Sequence, residues 1–386
     1  MKKKILFVID SLSVGGAEKS LVSLLPLFNK DKYEIHTWIR SRGGEFESLL
    51  PDSVIIETGP KCEFWRQGLL RAVTLFYTLV LRIFRLLGVK RHAAEILWAC
   101  TGWANQRYEG KWDVAVAYQQ GFPTYYVMNK VIANKKITWI NADIFSVGYQ
   151  DSFNYRFYQR YTNVVSVSDN LKLILIRTWP LLADKFTCVY DILNPEIIEK
   201  LSREEIYSFH HKGKICLLTV ARLVKPKGHV LALEAAKVLK DEGLDFQWYF
   251  IGDGPEKEKI NALILKLGLS NNVTLMGVRA NPYPYMKLCD VYVQTSLSEG
   301  LCMTIGEAKI LHKPIVSTDF NVVYNQITNE KNGLVVRKSG EAIASGIKKM
   351  IDNDEFRNEI VKNLFQEHNT SSLTEVAKVE KLFDED

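Results

Sequence analysis

The chain has 386 residues, 47% of them hydrophobic and 24% charged, the balance of a folded globular protein and not of a disordered one. At roughly 100–200 residues per domain this length predicts two domains. Six cysteines (Cys62, Cys100, Cys188, Cys216, Cys289, Cys302) show no C-x-x-C spacing, which argues against a disulfide or zinc framework and for reduced thiols. The net charge of +6 belongs to the first half. Residues 1–191 hold 25 basic and 17 acidic residues, a net of +8, and the remainder hold 25 and 27, a net of −2. A nucleic acid, an anionic membrane or a phosphorylated ligand each answers such a surplus, and no nucleic-acid-binding signature accompanies it.

The opening apolar run, Ile5 to Ile9, is ended by Asp10 without a small-residue cleavage site, so it reads as a buried strand over 4–10 and not as a signal peptide. Gly15 and Gly16 then precede a helix starting near Ala17, where free backbone N–H groups gather; a plain structural turn explains them equally well. Strands follow at 34–40 and 54–57. Segment 64–94 holds no acidic residue and six basic ones, and its longest uncharged run is ten residues, half the roughly 20 that a spanning helix needs. On a helical wheel Arg71, Arg82 and Arg85 fall together with Thr74 and Thr78, and apolar residues cover much of the rest. That is the pattern of a helix lying in a membrane interface, and equally of a core helix with a solvated arginine stripe.

Strands are predicted next at 112–118, 136–141, 163–167 and 186–190. Asn194-Pro195 and the polar stretch 202–214 mark a break. A second series of strands then runs 214–220, 246–251, 273–276, 291–295 and 314–317, followed by a polar helix within 373–383. The alternation of strand and helix predicts an α/β protein of two doubly wound, Rossmann-like domains, 1–195 and 196–365, with a C-terminal helix in 366–386 packing back. Ligands of such sheets sit beyond the carboxyl ends of the strands, so two facing sheets put a site in the cleft between them.

Three stretches of the second domain fall at such strand ends. Arg222 and Lys227, in LLTVARLVKPKGH, are two positive charges placed to hold a diphosphate, unless they are ordinary solvated loop charges. Gly252 opens the turn GDGP, which turn chemistry alone explains. In SLSEGLCMTIGEAKILHKP, Glu299 precedes and Glu307 lies within a helix from about 303 to 311. The N–H groups of Leu301, Cys302 and Met303 are placed to bind a phosphate there, and the carboxylates to accept hydrogen bonds from sugar hydroxyls. Paired acid and base carboxylates are another reading, but one that leaves Arg222 and Lys227 unexplained.

The set GGAEK, ARLVKPKGH, GDGPE, NPYPYMKLCDVYVQTSLSEG and Glu-x7-Glu resembles the retaining glycosyltransferases of family 4, which have the GT-B fold. The match covers nearly the whole chain in the expected order, and it looks most like the bacterial transferases that build capsular, exopolysaccharide or related surface glycans on a lipid carrier. The resemblance implies a nucleotide diphosphate sugar as donor, a UDP-sugar in preference to a GDP-sugar, with no metal and no further cofactor. By it, Arg222 and Lys227 hold the diphosphate, Glu307 the ribose hydroxyls and Glu299 the donor sugar or its phosphate edge. The turn Gly300-Leu301-Cys302-Met303 presents N–H groups, Gly252 lines the same site, and the base lies near Val278 and Arg279. Gly15 and Gly16 line the acceptor and phosphate side. The implied partners are a lipid-linked or glycan acceptor and an anionic membrane surface met through 64–94, with no nucleic acid; the implied location is cytoplasmic, on the inner face of the plasma membrane.

One departure stands out. The family often reads Trp-Ile-His-x-Asp after the fifth strand of its first domain, and this chain reads WINAD, with Asn141 in place of the histidine. Asn141 hydrogen-bonds but does not titrate. Two rival classes remain: another enzyme on the same fold, such as a nucleotide-sugar epimerase or a phosphorylase, and a non-catalytic subunit that partners another transferase. Nucleotide release without an acceptor marks the epimerase; Asn141 is the one feature that supports the subunit, and the intact second-domain set argues against it.

Overall fold

The computed structural model describes residues 2–13, 15–59, 68, 72, 77–81, 91–142, 144, 148–206, 209, 213–299, 301–367 and 371–385. It divides into two units, one made of Met1–Ile192 with Ser371–Asp386 and the other of Leu193–Thr370. The break thus falls three residues before the expected 195, and the last helix belongs to the first unit.

The first unit is built on seven parallel strands: β1 Lys3–Ser11, β2 Tyr33–Ser41, β3 Ile55–Glu57, β4 Lys111–Ala117, β5 Ile132–Ile140, β6 Asn163–Ser166 and β7 Phe186–Cys188. Their order in the sheet is β3-β2-β1-β4-β5-β6-β7. Ile5 to Ile9 of β1 are fully buried. A strand covered on both faces has no polar positions, which is why this run is apolar throughout and does not alternate. The helix Ser371–Asp384 completes the unit. Phe383 places its ring 5.5–6.2 Å from those of Phe7, Phe28 and Tyr33. Asp384 accepts from Lys3 Nζ at 3.1 Å and Tyr33 Oη at 3.0 Å, and Glu375 accepts the Tyr190 N–H at 2.9 Å.

The second unit holds six parallel strands: β8 Ile215–Val220, β9 Phe246–Ile251, β10 Val273–Gly277, β11 Val291–Gln294, β12 Ile315–Thr318 and β13 Leu334–Val336, in the order β10-β9-β8-β11-β12-β13. Consecutive residues serve opposite faces: Leu217 joins a core with Leu233, Trp248 and Phe250, and Leu218 joins another with Tyr249, Tyr292 and Ile305. β13 is three residues long and its pattern predicts no strand; it forms because Leu334, Val335 and Val336 find the free edge of β12.

In both sheets the winding reverses beside the first strand of the unit. β1 has β2 on one side and β4 on the other, and β8 has β9 on one side and β11 on the other. Crossover connections leave these two positions in opposite directions, so a crevice opens at the carboxyl ends of the paired strands. In the second unit the loops there are 221–228, after β8, and 295–302, after β11. Among the described residues no helix is long and apolar enough to cross a membrane.

Candidate active site

Lys227 and Glu299 meet at the crevice of the second sheet. The Lys227 ammonium donates to both carboxylate oxygens of Glu299, at 2.6 and 2.7 Å, with side-chain exposures of 24% and 8%. Gly228 brings the two loops this close. It has φ +65°, and a Cβ there would lie 1.9 Å from the Thr295 carbonyl oxygen, so only glycine fits. Thr295 Oγ1 donates to the Lys227 carbonyl at 3.1 Å, and the Leu297 N–H to the Pro226 carbonyl at 2.7 Å.

A buried relay holds Glu299 from behind. The Ser296 hydroxyl donates to Glu299 Oε1 at 2.5 Å, and Gln294 Nε2 lies 2.7 Å from Ser296 Oγ and 3.4 Å from the same carboxylate oxygen. Gln294 Oε1 in turn accepts from Tyr292 Oη at 2.8 Å and Thr304 Oγ1 at 3.2 Å. Gln294 and Ser296 are fully buried, and a satisfied polar chain in such a place fixes geometry because each alternative leaves a group unpaired.

Of the turn after Glu299, Gly300 lies outside the described residues. Cys302 adopts φ +64° as the residue before the helix Met303–Ile310, and Gln326 donates to the carbonyls of Leu301 and Cys302. The Glu299 N–H reaches Asn321 Oδ1 at 3.3 Å. Burial, then the Glu299 carboxylate, push the Cys302 thiol up to about 12, so it stays protonated and unreactive at neutral pH. Glu307, one turn into the helix, is fully buried and accepts from Tyr283 Oη at 3.1 Å; burial and this carboxylate hold the Tyr283 phenol far above its usual range.

Arg222 is exposed in the same loop as Lys227, and its guanidinium makes no hydrogen bond or ion pair with the described residues. The Gly252 N–H is already given to the Gly277 carbonyl at 2.9 Å, so it offers no donor to a ligand. What the residue supplies is absence of a side chain: at φ +144° a Cβ would lie 2.0 Å from the Ala221 carbonyl oxygen and displace the loop that carries Arg222. Val278 is exposed just past β10, and Arg279 donates to its carbonyl at 3.1 Å.

The first unit holds the remaining candidates. Gly15 is the extended residue before the helix Gly16–Leu24, and a Cβ on it would lie 2.2 Å from Glu18 Oε2. The Glu18 carboxylate thus folds over the helix N-terminus, where it also accepts from Gln119 Nε2 at 2.9 Å. Burial raises the pKa of Glu18 and the nearby Asp10 charge adds to it, while its own N–H and Gln119 oppose the rise. Asn141, after β5, donates from Nδ2 to the Tyr118 carbonyl at 2.9 Å, and its N–H reaches Gln120 Oε1 at 3.0 Å; Oδ1 is buried without a partner among the described residues. Among the described residues no three His, Cys, Asp or Glu side chains are grouped to hold a metal ion.

Residues 203–366 match the family model described as Glycosyl transferases group 1. That stretch spans β8 to β13 and carries Arg222, Lys227, Glu299 and Glu307. The match covers most of the second unit. Among curated proteins the chain is 30% identical over 169 residues to an uncharacterized glycosyltransferase of Methanocaldococcus jannaschii, covering 43% of this chain and 42% of the relative. It is 29% identical over 185 residues, 47% of this chain and 49% of the relative, to the N-acetylgalactosamine-N,N'-diacetylbacillosaminyl-diphospho-undecaprenol 4-alpha-N-acetylgalactosaminyltransferase of Campylobacter jejuni. The chain spans less than half the length of these relatives. Among solved structures, HepE of Anabaena in complex with UDP-glucose superposes with a TM-score of 0.68 at 17% identity, over 98% of this chain and all of that one. The fold is therefore GT-B.

Within the glycosyl transferases group 1 segment, sequence reading misses the residues that support the site. Gln294 ends β11 and Ser296 stands in the polar run that follows, a signal available in QTSLSEG. Asn321, Gln326 and Tyr283 carry no such signal, because only folding brings the first two against the turn at 299–302 and Tyr283 against Glu307.

Proposed function

We propose that this chain is a retaining, metal-independent glycosyltransferase. It moves a sugar from a nucleotide diphosphate sugar, a UDP-sugar in preference to a GDP-sugar, to a glycan or lipid-linked acceptor in the synthesis of a bacterial surface polysaccharide. The observation that carries the reading is the Lys227–Glu299 pair, a cation and a carboxylate locked together at the crevice of the second sheet. A diphosphate with a sugar on each end needs a cation for the one and hydrogen-bond acceptors for the other.

In the proposed reaction the bond from sugar C1 to the diphosphate oxygen breaks as the acceptor oxygen bonds C1 from the same face, and the acceptor proton passes to the leaving phosphate. Negative charge grows on the diphosphate. Fixed cations aimed there lower the barrier most, because they need no reorganisation as the charge develops. Arg222 and Lys227 fill that role in this reading, Glu307 takes the ribose hydroxyls and Glu299 the donor sugar. The Glu18 carboxylate already covers the N–H groups beside Gly15 and Gly16 and disfavours phosphate there, which supports assigning them to the acceptor.

The relatives support the choice of substrates. The name of the C. jejuni relative gives a diphospho-undecaprenol acceptor, and the Anabaena structure holds UDP-glucose. A lipid-linked acceptor also gives the acid-free segment 64–94 a purpose, holding the chain at an anionic inner membrane face.

Thermal unfolding with UDP- and GDP-sugars tests the reading. A ligand at 100 times its Kd stabilises by about 2.7 kcal/mol. Stabilisation by a nucleotide sugar that Lys227→Ala abolishes is expected; no stabilisation by any of them overturns the reading.

A further inference from the structure

The turn after Glu299 is held by a side chain from another loop. Gln326, in the segment that follows β12, donates from Nε2 to the carbonyls of Leu301 and Cys302, the second at 3.3 Å. A trans peptide points its C=O and its N–H in opposite directions. Holding these two carbonyls therefore turns the N–H groups of Cys302 and Met303 away from Gln326, and neither is given to another described residue. Between the two peptides Cys302 stands at φ +64° and ψ +66°. A side chain disfavours this left-handed backbone, which persists only where the surroundings impose it. Successive N–H groups on either side of such a residue converge, as they do in anion-binding backbone.

Gln326 is itself held by the helix it serves. Its carbonyl accepts from Lys309 Nζ at 2.8 Å and lies 3.5 Å from Asn332 Nδ2, and its N–H donates to the Val323 carbonyl at 3.0 Å. Lys309 and Asn332 share Glu367, the lysine meeting Oε2 at 2.8 Å and the amide Oε1. Lys309 belongs to the helix Met303–Ile310, which starts at the turn. The helix thus fixes the backbone of Gln326, and the Gln326 side chain fixes the start of the helix. This ring closes on protein groups alone, which preorganises the turn.

We propose that Gln326 is a positioning residue for the donor diphosphate: it touches no substrate, and aims the N–H groups of Cys302 and Met303 at the phosphate oxygens. This rests on the glycosyltransferase reading. That reading gives Glu299 the donor sugar and Glu307 the ribose, so the phosphates between those two sugars fall to the turn between the two carboxylates. Lys309 acts through Gln326 by holding its carbonyl. Methionine at 326 keeps the length of the side chain and removes the amide, which deprives the Leu301 carbonyl of its donor and releases Cys302 from its backbone conformation.

The test compares Gln326→Met with the wild-type chain in two measurements. The first needs no nucleotide: alkylation of Cys302 by iodoacetamide, read by peptide mass spectrometry. Cys302 is 7% exposed, and its labelling should quicken at least tenfold, while Cys216 and Cys289, buried in the same unit, label as before. The second titrates UDP and uridine, which share base and ribose and differ in the diphosphate. UDP should bind roughly ten- to a hundredfold more weakly, the scale of one hydrogen bond to a charged group, and uridine as before. Lys309→Met should weaken UDP in the same selective way, and the double variant should be no weaker than Gln326→Met alone. If Cys216 and Cys289 also label faster, the fold is lost, and Lys309→Met, which keeps the amide, decides by the same UDP and uridine comparison. Unchanged labelling of Cys302 overturns the hold on the turn. Equal losses for UDP and uridine, or no loss for either, overturn the positioning role, because a merely loosened fold favours neither probe. Faster labelling in a chain whose wild type binds neither UDP nor uridine overturns the assignment to a diphosphate and the glycosyltransferase reading with it.

Discussion

The Lys227 ammonium is held by a carboxylate that is itself held from behind, so in the proposed reading a diphosphate would meet a cation already in position. Replacing Lys227 with alanine is expected to lower kcat by two to three powers of ten, the cost of removing one preorganised donor. Steady-state rates at saturating donor check it, with circular dichroism showing an unchanged fold. Two residues on, His229 is 2% exposed and neither ring nitrogen has a partner among the described residues. Burial first, and the Lys227 charge, hold its pKa down to about 4 against the pull of Glu256. Between pH 6.5 and 4 the unfolded chain therefore binds a proton at His229 that the folded chain refuses, so the contribution of this residue to stability rises with pH through this window and is level above it. At about 1.36 kcal/mol per unit the loss by pH 4 is about 3 kcal/mol. Urea unfolding of His229→Phe should show that slope flattened between pH 4 and 6.5.

The loops of the second unit depend on close backbone approach more than on side-chain contacts. Gly228→Ala would put a Cβ against the Thr295 carbonyl in a left-handed backbone, and is expected to cost on the order of 2–4 kcal/mol while parting Lys227 from Glu299. Denaturant midpoints and donor KM should both move, where a merely local strain would move only the first. Helix ends here follow ordinary rules. The Ser339 hydroxyl accepts the Ala342 N–H at 3.2 Å at the start of the helix Gly340–Asp352, as its position in the sequence requires.

At the scale of the molecule, the last helix closes the core of the first unit from the far end of the chain. Phe383 is 2% exposed against three rings of that core, so Phe383→Ala should cost about 3–5 kcal/mol. In calorimetry the loss should fall on the transition that nucleotide sugars leave unmoved, since the proposed donor site is in the other unit. The membrane proposal concerns segment 64–94, which lies outside the described residues except for 68, 72, 77–81 and 91–94. Each arginine near an anionic surface contributes on the order of 1 kcal/mol. Reversing Arg71, Arg82 and Arg85 to glutamate should release the chain from anionic vesicles in sedimentation, and salt should weaken wild-type binding. Failure of the wild type to sediment at low salt would sink the membrane role.

Residues 5–9 and 248–251 were legible as buried strand because a strand covered on both faces must be apolar throughout, a constraint written in consecutive positions. The strand ends were legible for the same reason, and with them the stretches holding Lys227, Glu299 and Glu307. β13 was not, since three residues after a turn carry too little pattern and form a strand only because an edge awaits them. Nor were the partners. That Lys227 touches Glu299 across 72 residues, that Gln294 and Ser296 stand behind it, and that Gln326 reaches the turn at 301–302 depend on which strands become neighbours. The sequence determines which segments must be buried and where the chain turns; the order of strands in each sheet decides which turns meet, because pairing energy is nearly the same for any two apolar strands and only the packing of the whole unit chooses among them.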